Sequence, residues 1–357
     1  MNLKSRNGKT IAFGAATSFG YMGCILFYMR QFGDSPRFPE WVNVMSISFL
    51  MLAPFGTGAL VNWSAPKEER GRFMNLVGYP CFHSLAAFSI ALIAKLEGVI
   101  CLLMAIPAFL ILSTLGAVFF HLVTRKMGPR NEKRSMVALL LLPVFASPIE
   151  GGFKASPMYT TTLSHIEIAA PRATVWKNII RVPRIAKSEI PLSLSVLMGF
   201  PDPVEATLSH EGVGGVRRAS FKGNVLFTET IDAWEDGRKV SFSIVPNTAE
   251  IPPTTMDEHM IVGGKYFNVL RGTYEIEDLG NGRCLLKLSS NHVATTDFNL
   301  YAGLWGRVLM GDIQDRILKV IKARCERGFI PAGEENPGPE GVAGSVKIPA
   351  PIGRSKS

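Results

Sequence analysis

The chain has 357 residues, of which 47% are hydrophobic and only 19% charged, with a net charge of +9. Average soluble domains carry about a quarter charged residues, so this composition excludes a disordered chain, a disulfide-rich miniprotein and a collagen-like fibre. The positive charge lies among apolar runs, with 14 Lys/Arg against 7 Asp/Glu in residues 1–150, which is how a membrane protein orients itself and not a basic face for nucleic acid.

Four long runs free of Lys, Arg, Asp and Glu come first: Ile11 to Met29, Trp41 to Trp63, Phe73 to Ala94 and Val99 to Val123. About 20 helical residues cross the hydrocarbon of a bilayer, and lipid offers the backbone no hydrogen bonds, so each run is predicted to be a helix. The first follows Lys4, Arg6 and Lys9 but ends in Tyr28-Met29-Arg30 without a small-residue cleavage site, so it reads as an uncleaved anchor. A fifth run, Ser135 to Ile149, has 15 uncharged residues and is interrupted by Pro143 and Pro148. It either crosses a thinned bilayer or lies at its surface. The expected unit is a multi-pass transmembrane bundle of four to five helices over residues 1–150.

Basic loops stay in the cytoplasm. Eleven basic residues fall on one side of the runs, before the first, between the second and third, and after the fourth; Arg30, Arg37 and Lys95 are the three on the other. The N-terminus is therefore expected inside. Five crossings, the favoured count, leave the C-terminal half outside, and four leave it inside. The histidines of the runs, His83 and His121, lie near their ends, where packing or headgroup contact is the ordinary role. The stretches Gly14-Ala15-Ala16 and Gly56-Thr57-Gly58-Ala59 suit close helix packing.

From Leu163 the texture changes to short alternating runs separated by Gly, Pro and Asp turns. Ser164 to Ala169 reads as a strand, Pro171 opens a helix over Arg172 to Arg181, and six strands follow: Val204–Ser209, Gly215–Lys222, Val225–Trp234, Lys239–Val245, Tyr266–Glu277 and Arg283–Ala294. Gly223-Asn224, Asp236-Gly237 and Leu279 to Gly282 read as hairpin turns. A long helix, Asn299 to Arg327, carries an apolar stripe at Trp305, Leu309, Ile313, Ile317 and Ile321. A seven-stranded twisted sheet curls. Closed by the last helix, it leaves room for a cavity lined by the inward residue of each strand.

Ile166-Glu167-Ile168-Ala169-Ala170-Pro171 followed by Val175-Trp176 resembles the opening of the START-like superfamily, the polyketide cyclase/dehydrase-like or helix-grip fold (SRPBCC). Gly272-Thr273-Tyr274 and the long terminal helix fit the same resemblance, which covers Leu163 to Arg327. It implies an α+β helix-grip domain over residues 160–327 that binds a lipid, sterol, polyketide or hormone, and in a minority of members an enzyme. Residues 328–357, rich in Pro and Gly, read as a disordered tail.

Strand parity selects candidates. Glu229 shares the inward face of Val225, Phe227, Ile231 and Ala233, and is either a functional acid or an ion-pair partner. Tyr266, Asn268 and Tyr274 share a face with Leu270 and Ile276; Ser290 and His292 continue the face of Leu286 and Leu288. With Trp305 these are the expected ligand contacts, and Glu229 and His292 are the candidate acid or base. Arg271 falls on the solvent side.

The loop Pro246 to Lys265 has the length of a lid. Its Asp257-Glu258-His259 are neighbours on one loop, which rarely all reach one ion, so no metal is expected. Without CxxC, P-loop or GxSxG no cofactor is expected either. The functional expectation is a membrane-tethered binder or carrier of a lipid or other hydrophobic molecule. A cyclase- or dehydratase-type enzyme, and a ligand-sensing or assembly protein, are the alternatives.

Overall fold

The computed structural model describes residues 14, 16–24, 27, 47–94, 99–150, 156–247, 262–264, 266–329 and 331. The remainder of the first run, the start of the second, the centre of the expected lid with Asp257-Glu258-His259, and nearly all of the C-terminal tail lie outside the described residues.

After a helical stretch at 16–24 and a π-helical turn (Ser48–Leu52), the helical half runs through α1 (Ala53–Trp63), then a second π-helical turn (Met74–Gly78) leading into α2 (Tyr79–Ile93), α3 (Val99–Thr124) and α4 (Pro129–Glu150). Among the described residues two helices are long and apolar enough to cross a membrane, Met74–Ile93 with 20 residues and Val99–Thr124 with 26. At 1.5 Å per residue they reach about 30 and 39 Å. This corrects the expectation of four to five such helices. The fifth run is not a separate short segment: it is the C-terminal part of α4, whose first turns carry Arg130, Glu132, Lys133 and Arg134. Pro143 and Pro148 do not end it.

Glycines set the spacing of this half. A side chain at Gly58 would stand 1.7 Å from the Ser113 carbonyl oxygen, and one at Gly116 1.9 Å from that of Phe55, so α1 and α3 touch backbone to backbone. Two basic loops meet at one end: Arg70 binds Glu132 at 2.7 Å, and Lys67 donates to the Met127 carbonyl at 2.7 Å. At the other end Glu150 accepts bonds from the Ser48 amide and hydroxyl at 2.9 and 2.7 Å.

The second half begins with β1 (Met158–Ile168), six residues before the strand read from the sequence. There follow α5 (Arg172–Ile180), α6 (Leu194–Leu197), β2 (Pro203–Leu208), β3 (Val216–Phe221), β4 (Val225–Glu235), β5 (Lys239–Pro246), β6 (Phe267–Gly280), β7 (Arg283–Ala294) and α7 (Asn299–Glu326). The seven strands form one antiparallel sheet in the order β1-β7-β6-β5-β4-β3-β2. Hairpins account for five of its pairings. The turn at Gly223-Asn224 has φ of +72° and +60°, and Asn281-Gly282 has +53° and +69°, the left-handed pair that matches the twist of flanking strands. Bulges in β2, β4 and β6 increase the curl. The sheet wraps α7, the architecture of a helix-grip fold.

The core fills one end of this wrap. Ile168, Leu286 and Leu318 are fully buried there, and Trp176 meets Trp234 edge to face at 4.9 Å. Arg324 of α7 fastens the connection after α5, donating to the Pro183 and Arg184 carbonyls at 2.8 and 3.0 Å and pairing with Glu189.

Candidate functional site

Away from that core, sheet and helix part. A cavity of about 170 Å³ lies between them. Its walls are largely apolar: Phe227 and Phe242 from the sheet, Ile313 and Ile317 from α7. Polar side chains interrupt this lining, four of them charged: Glu205, Arg217, Glu229 and Arg316.

Arg217 of β3 and Glu229 of β4 are direct cross-strand partners and form a buried ion pair, each about 7% exposed. The Gly223-Asn224 turn sets this register, since Phe221 pairs Val225, Ala219 pairs Phe227 and Arg217 pairs Glu229. The Arg217 guanidinium also lies 5.6 Å from the Phe242 ring centre. That ring crosses Gly272, where any β-carbon would come within 2.6 Å of it. Burial pushes the Glu229 carboxyl above its ordinary range, against the pull of Arg217. Arg217, although burial opposes its charge, is held above its ordinary value by Glu229. Tyr274, next to the pair, is pushed up to about 12 by burial and keeps its proton.

Gln314 enters from α7. Its Nε2 donates to the Ser290 hydroxyl at 2.9 Å and the Thr162 carbonyl at 3.2 Å. That fixes the amide orientation and leaves Oε1 turned away from both. Among the described residues Oε1 of Gln314 and Nε of Arg217 have no hydrogen-bond partner, and both side chains line the cavity. A buried donor or acceptor left unmade costs about 1–3 kcal/mol; both atoms are themselves buried, so a guest meets them only where these side chains turn toward the cavity. At another part of the wall Arg316, 2% exposed, has only long contacts, 3.5 Å to Asp202 and 3.4 Å to the Pro201 carbonyl.

Of the residues singled out from the sequence, Glu229, Tyr274 and Ser290 stand on this wall. His292 does not. It bonds the Thr162 hydroxyl at 2.9 Å, packs on Phe267 and faces the α7 backbone at Gly306, and burial lowers its pKa so that it stays neutral. Asn268 and Tyr266 also lie off this wall, Tyr266 lining a smaller hollow of about 60 Å³ beside it. A bulge between Val269 and Arg271 reverses the parity, and Val269 points inward in place of Leu270. A second bulge, between Ile231 and Ala233, brings Trp234 to the core in place of Ala233. Trp305 packs with Met198 and Leu309 against α3. Arg271 faces solvent, paired with Asp232 at 2.8 Å. Parity alone missed Arg217, Gln314 and Arg316. The hairpin register back from the turn, 221 to 219 to 217, carries the signal for Arg217, whereas Gln314 and Arg316 sit on a helix face that no periodic rule reserves for polar residues.

No family model matches the chain, and no curated protein matches it. Among solved structures it is similar to a truncated norcoclaurine synthase from Thalictrum flavum, with 14% identity over 48% of this chain and 95% of that one, TM-score 0.30. It is similar to a START superfamily protein from Mycobacterium smegmatis, with 11% identity over 47% and 97% and TM-score 0.31. It is likewise similar to the Zhui aromatase/cyclase from Streptomyces sp. R1128, with 16% identity over 48% and 95% and TM-score 0.31. These identities are too low to carry an activity, a substrate or a site residue across.

Proposed function

We propose that this chain is a membrane-anchored binder of a hydrophobic small molecule that carries one polar group. In this reading residues 1–150 are the anchor and residues 160–327 hold the ligand between the curved sheet and α7. The observation that carries it is the cavity itself: a largely apolar hollow with Gln314 and Arg217 among its lining residues. Ligand sites have this make-up, apolar walls with a few convergent polar groups that orient the guest. A volume of about 170 Å³ takes a ring-sized group, since apolar cavities of roughly 150 Å³ hold benzene.

The raised Glu229 carboxyl beside Tyr274 supports a second reading, an acid–base enzyme of the cyclase or dehydratase type. Binding is the better supported, because Glu229 is engaged by Arg217 and His292 lies off the cavity wall. The orientation in which the sheet domain lies outside rests on the basic loops around Arg70 and Glu132 meeting at one end of the helices.

The test titrates the full-length chain with 4-ethylphenol and with ethylbenzene, which lacks the hydroxyl. The phenol is expected to bind about tenfold tighter, the worth of one hydrogen bond of about 1.4 kcal/mol. Gln314→Leu is expected to erase that preference while keeping ethylbenzene binding. If neither compound binds, the reading is wrong.

A further inference from the structure

Away from the sheet, α7 carries two neighbouring rows of side chains. One meets α3: the Tyr301 hydroxyl donates to the Met104 carbonyl, and Leu309 is buried together with Ile100 and Met198, with Trp305 packed against them. The row beside it begins with Leu300, Leu304 and Val308, one turn apart and 84, 49 and 44% exposed. Helix α6 extends this surface. Its Leu194 and Leu197 are exposed, and the Leu194 and Ser195 amides bond the Asp312 carboxylate, one turn beyond Val308. Past Val308 the outer row of α7 turns charged, with Asp315 and Lys319 exposed. Scattered exposed leucines are ordinary, but a contiguous apolar patch marks a surface that something covers.

Helix α3 identifies the cover. The basic connection after it begins at Arg125, and about 20 helical residues cross the hydrocarbon. Twenty residues back from Thr124 is Ala105, so the Met104 carbonyl stands at the opposite hydrocarbon boundary. Tyr301 is bonded at that level, and Tyr and Trp are the side chains that settle there, with an apolar body and a polar tip. Ile100 lies about 6 Å further out along α3, at 1.5 Å per residue. Helix α7 therefore descends toward the boundary as it runs back from Leu309 to Tyr301. Its most exposed leucine, Leu300, is at the deepest end, and its charged residues Asp315 and Lys319 are at the end that rises away.

We infer that this face of α6 and α7 is seated in the lipid leaflet, with Leu300, Leu304 and Val308 below the headgroups and Asp315 and Lys319 in water. The inference rests on the proposed reading of residues 1–150 as a membrane anchor and goes beyond it, because the sheet domain then has its own bilayer-binding surface. A second copy of the chain would also cover an apolar patch, but gives no reason for the row to turn charged as α7 leaves the level of Met104.

The experiment uses the full-length chain without its five natural cysteines, carrying Leu304→Cys, Lys319→Cys or Ile111→Cys, all at exposed positions. Each cysteine bears an NBD fluorophore, and the protein is placed in phosphatidylcholine nanodiscs. Two quenchers are compared, iodide in the water and a nitroxide on the fifth carbon of the lipid chains. An interfacial helix buries its apolar face about 5–10 Å, so at 304 the nitroxide is expected to quench about threefold more than iodide, with the order reversed at 319. Leu300→Cys repeats the reading at the deepest position should Leu304→Cys prevent folding. Position 111, in the middle of α3, reports on the anchor and is expected to follow the nitroxide. Stronger quenching by iodide at 304 and 300, with 111 still quenched by the nitroxide, overturns the inference and leaves the anchor standing. Shielding of 304 from both quenchers means that protein covers this face, and overturns it too. Quenching of 111 by iodide and not by the nitroxide removes the inference and the anchor together.

Discussion

At the scale of single residues, the Arg217–Glu229 pair decides how polar this cavity is. Taking two charges out of water is costly, and the pair, with Phe242 against its guanidinium, repays that only while both partners are present. Glu229→Leu strands a buried cation and is expected to cost about 3–5 kcal/mol. Removing both charges, in Arg217→Met with Glu229→Leu, is expected to return stability to within about 1 kcal/mol of the parent, since apolar replacements of buried pairs are often neutral or better. Denaturation of the full-length chain measures both. A double variant as unstable as the single one means that the pair itself, not the stranded charge, holds the fold.

At the scale of elements, the strands and the long helix were legible because their apolar residues keep period and because Gly-Asn, Asp-Gly and Asn-Gly pairs punctuate them. What was not legible follows from the bulges. One extra residue breaks the alternation: past Asp232 Trp234 turns inward in place of Ala233, and ahead of Leu270 Val269 turns inward, so Tyr266 and Asn268 leave the wall of the main cavity. In the helical half, the stretch around Gly58 was legible as a packing surface, but its counterpart Gly116 was not, since contact between helices distant in sequence leaves no periodic mark. Gly116 now makes the sharper prediction. A β-carbon there would stand 1.9 Å from the Phe55 carbonyl oxygen, so even Gly116→Ala must push α1 from α3. Overpacking of this kind costs about 1–3 kcal/mol, and scanning fluorimetry of the detergent-solubilised chain is expected to show a lowered midpoint. Gly128→Ala, where nothing stands within 4 Å of the new carbon, is the matched control and is expected to leave the midpoint unchanged.

At the scale of the whole molecule, the two halves share one apolar seam where the start of α3 meets α7. Helix α3 runs from that seam to the basic connection 125–134, where Glu132 joins Arg70, and α4 returns to Glu150, a few residues before β1. If basic connections stay in the cytoplasm, the sheet domain and its cavity face the opposite compartment. Single cysteines placed by Lys126→Cys and Asp236→Cys in a background free of the five natural ones test this in intact cells, both native side chains being exposed. A membrane-impermeant maleimide is expected to label position 236 at once and position 126 only after permeabilisation. The reverse pattern puts the cavity on the cytoplasmic side, where it would draw on a different leaflet for its ligand, and labelling of both positions in intact cells excludes a bilayer between the two ends of α3.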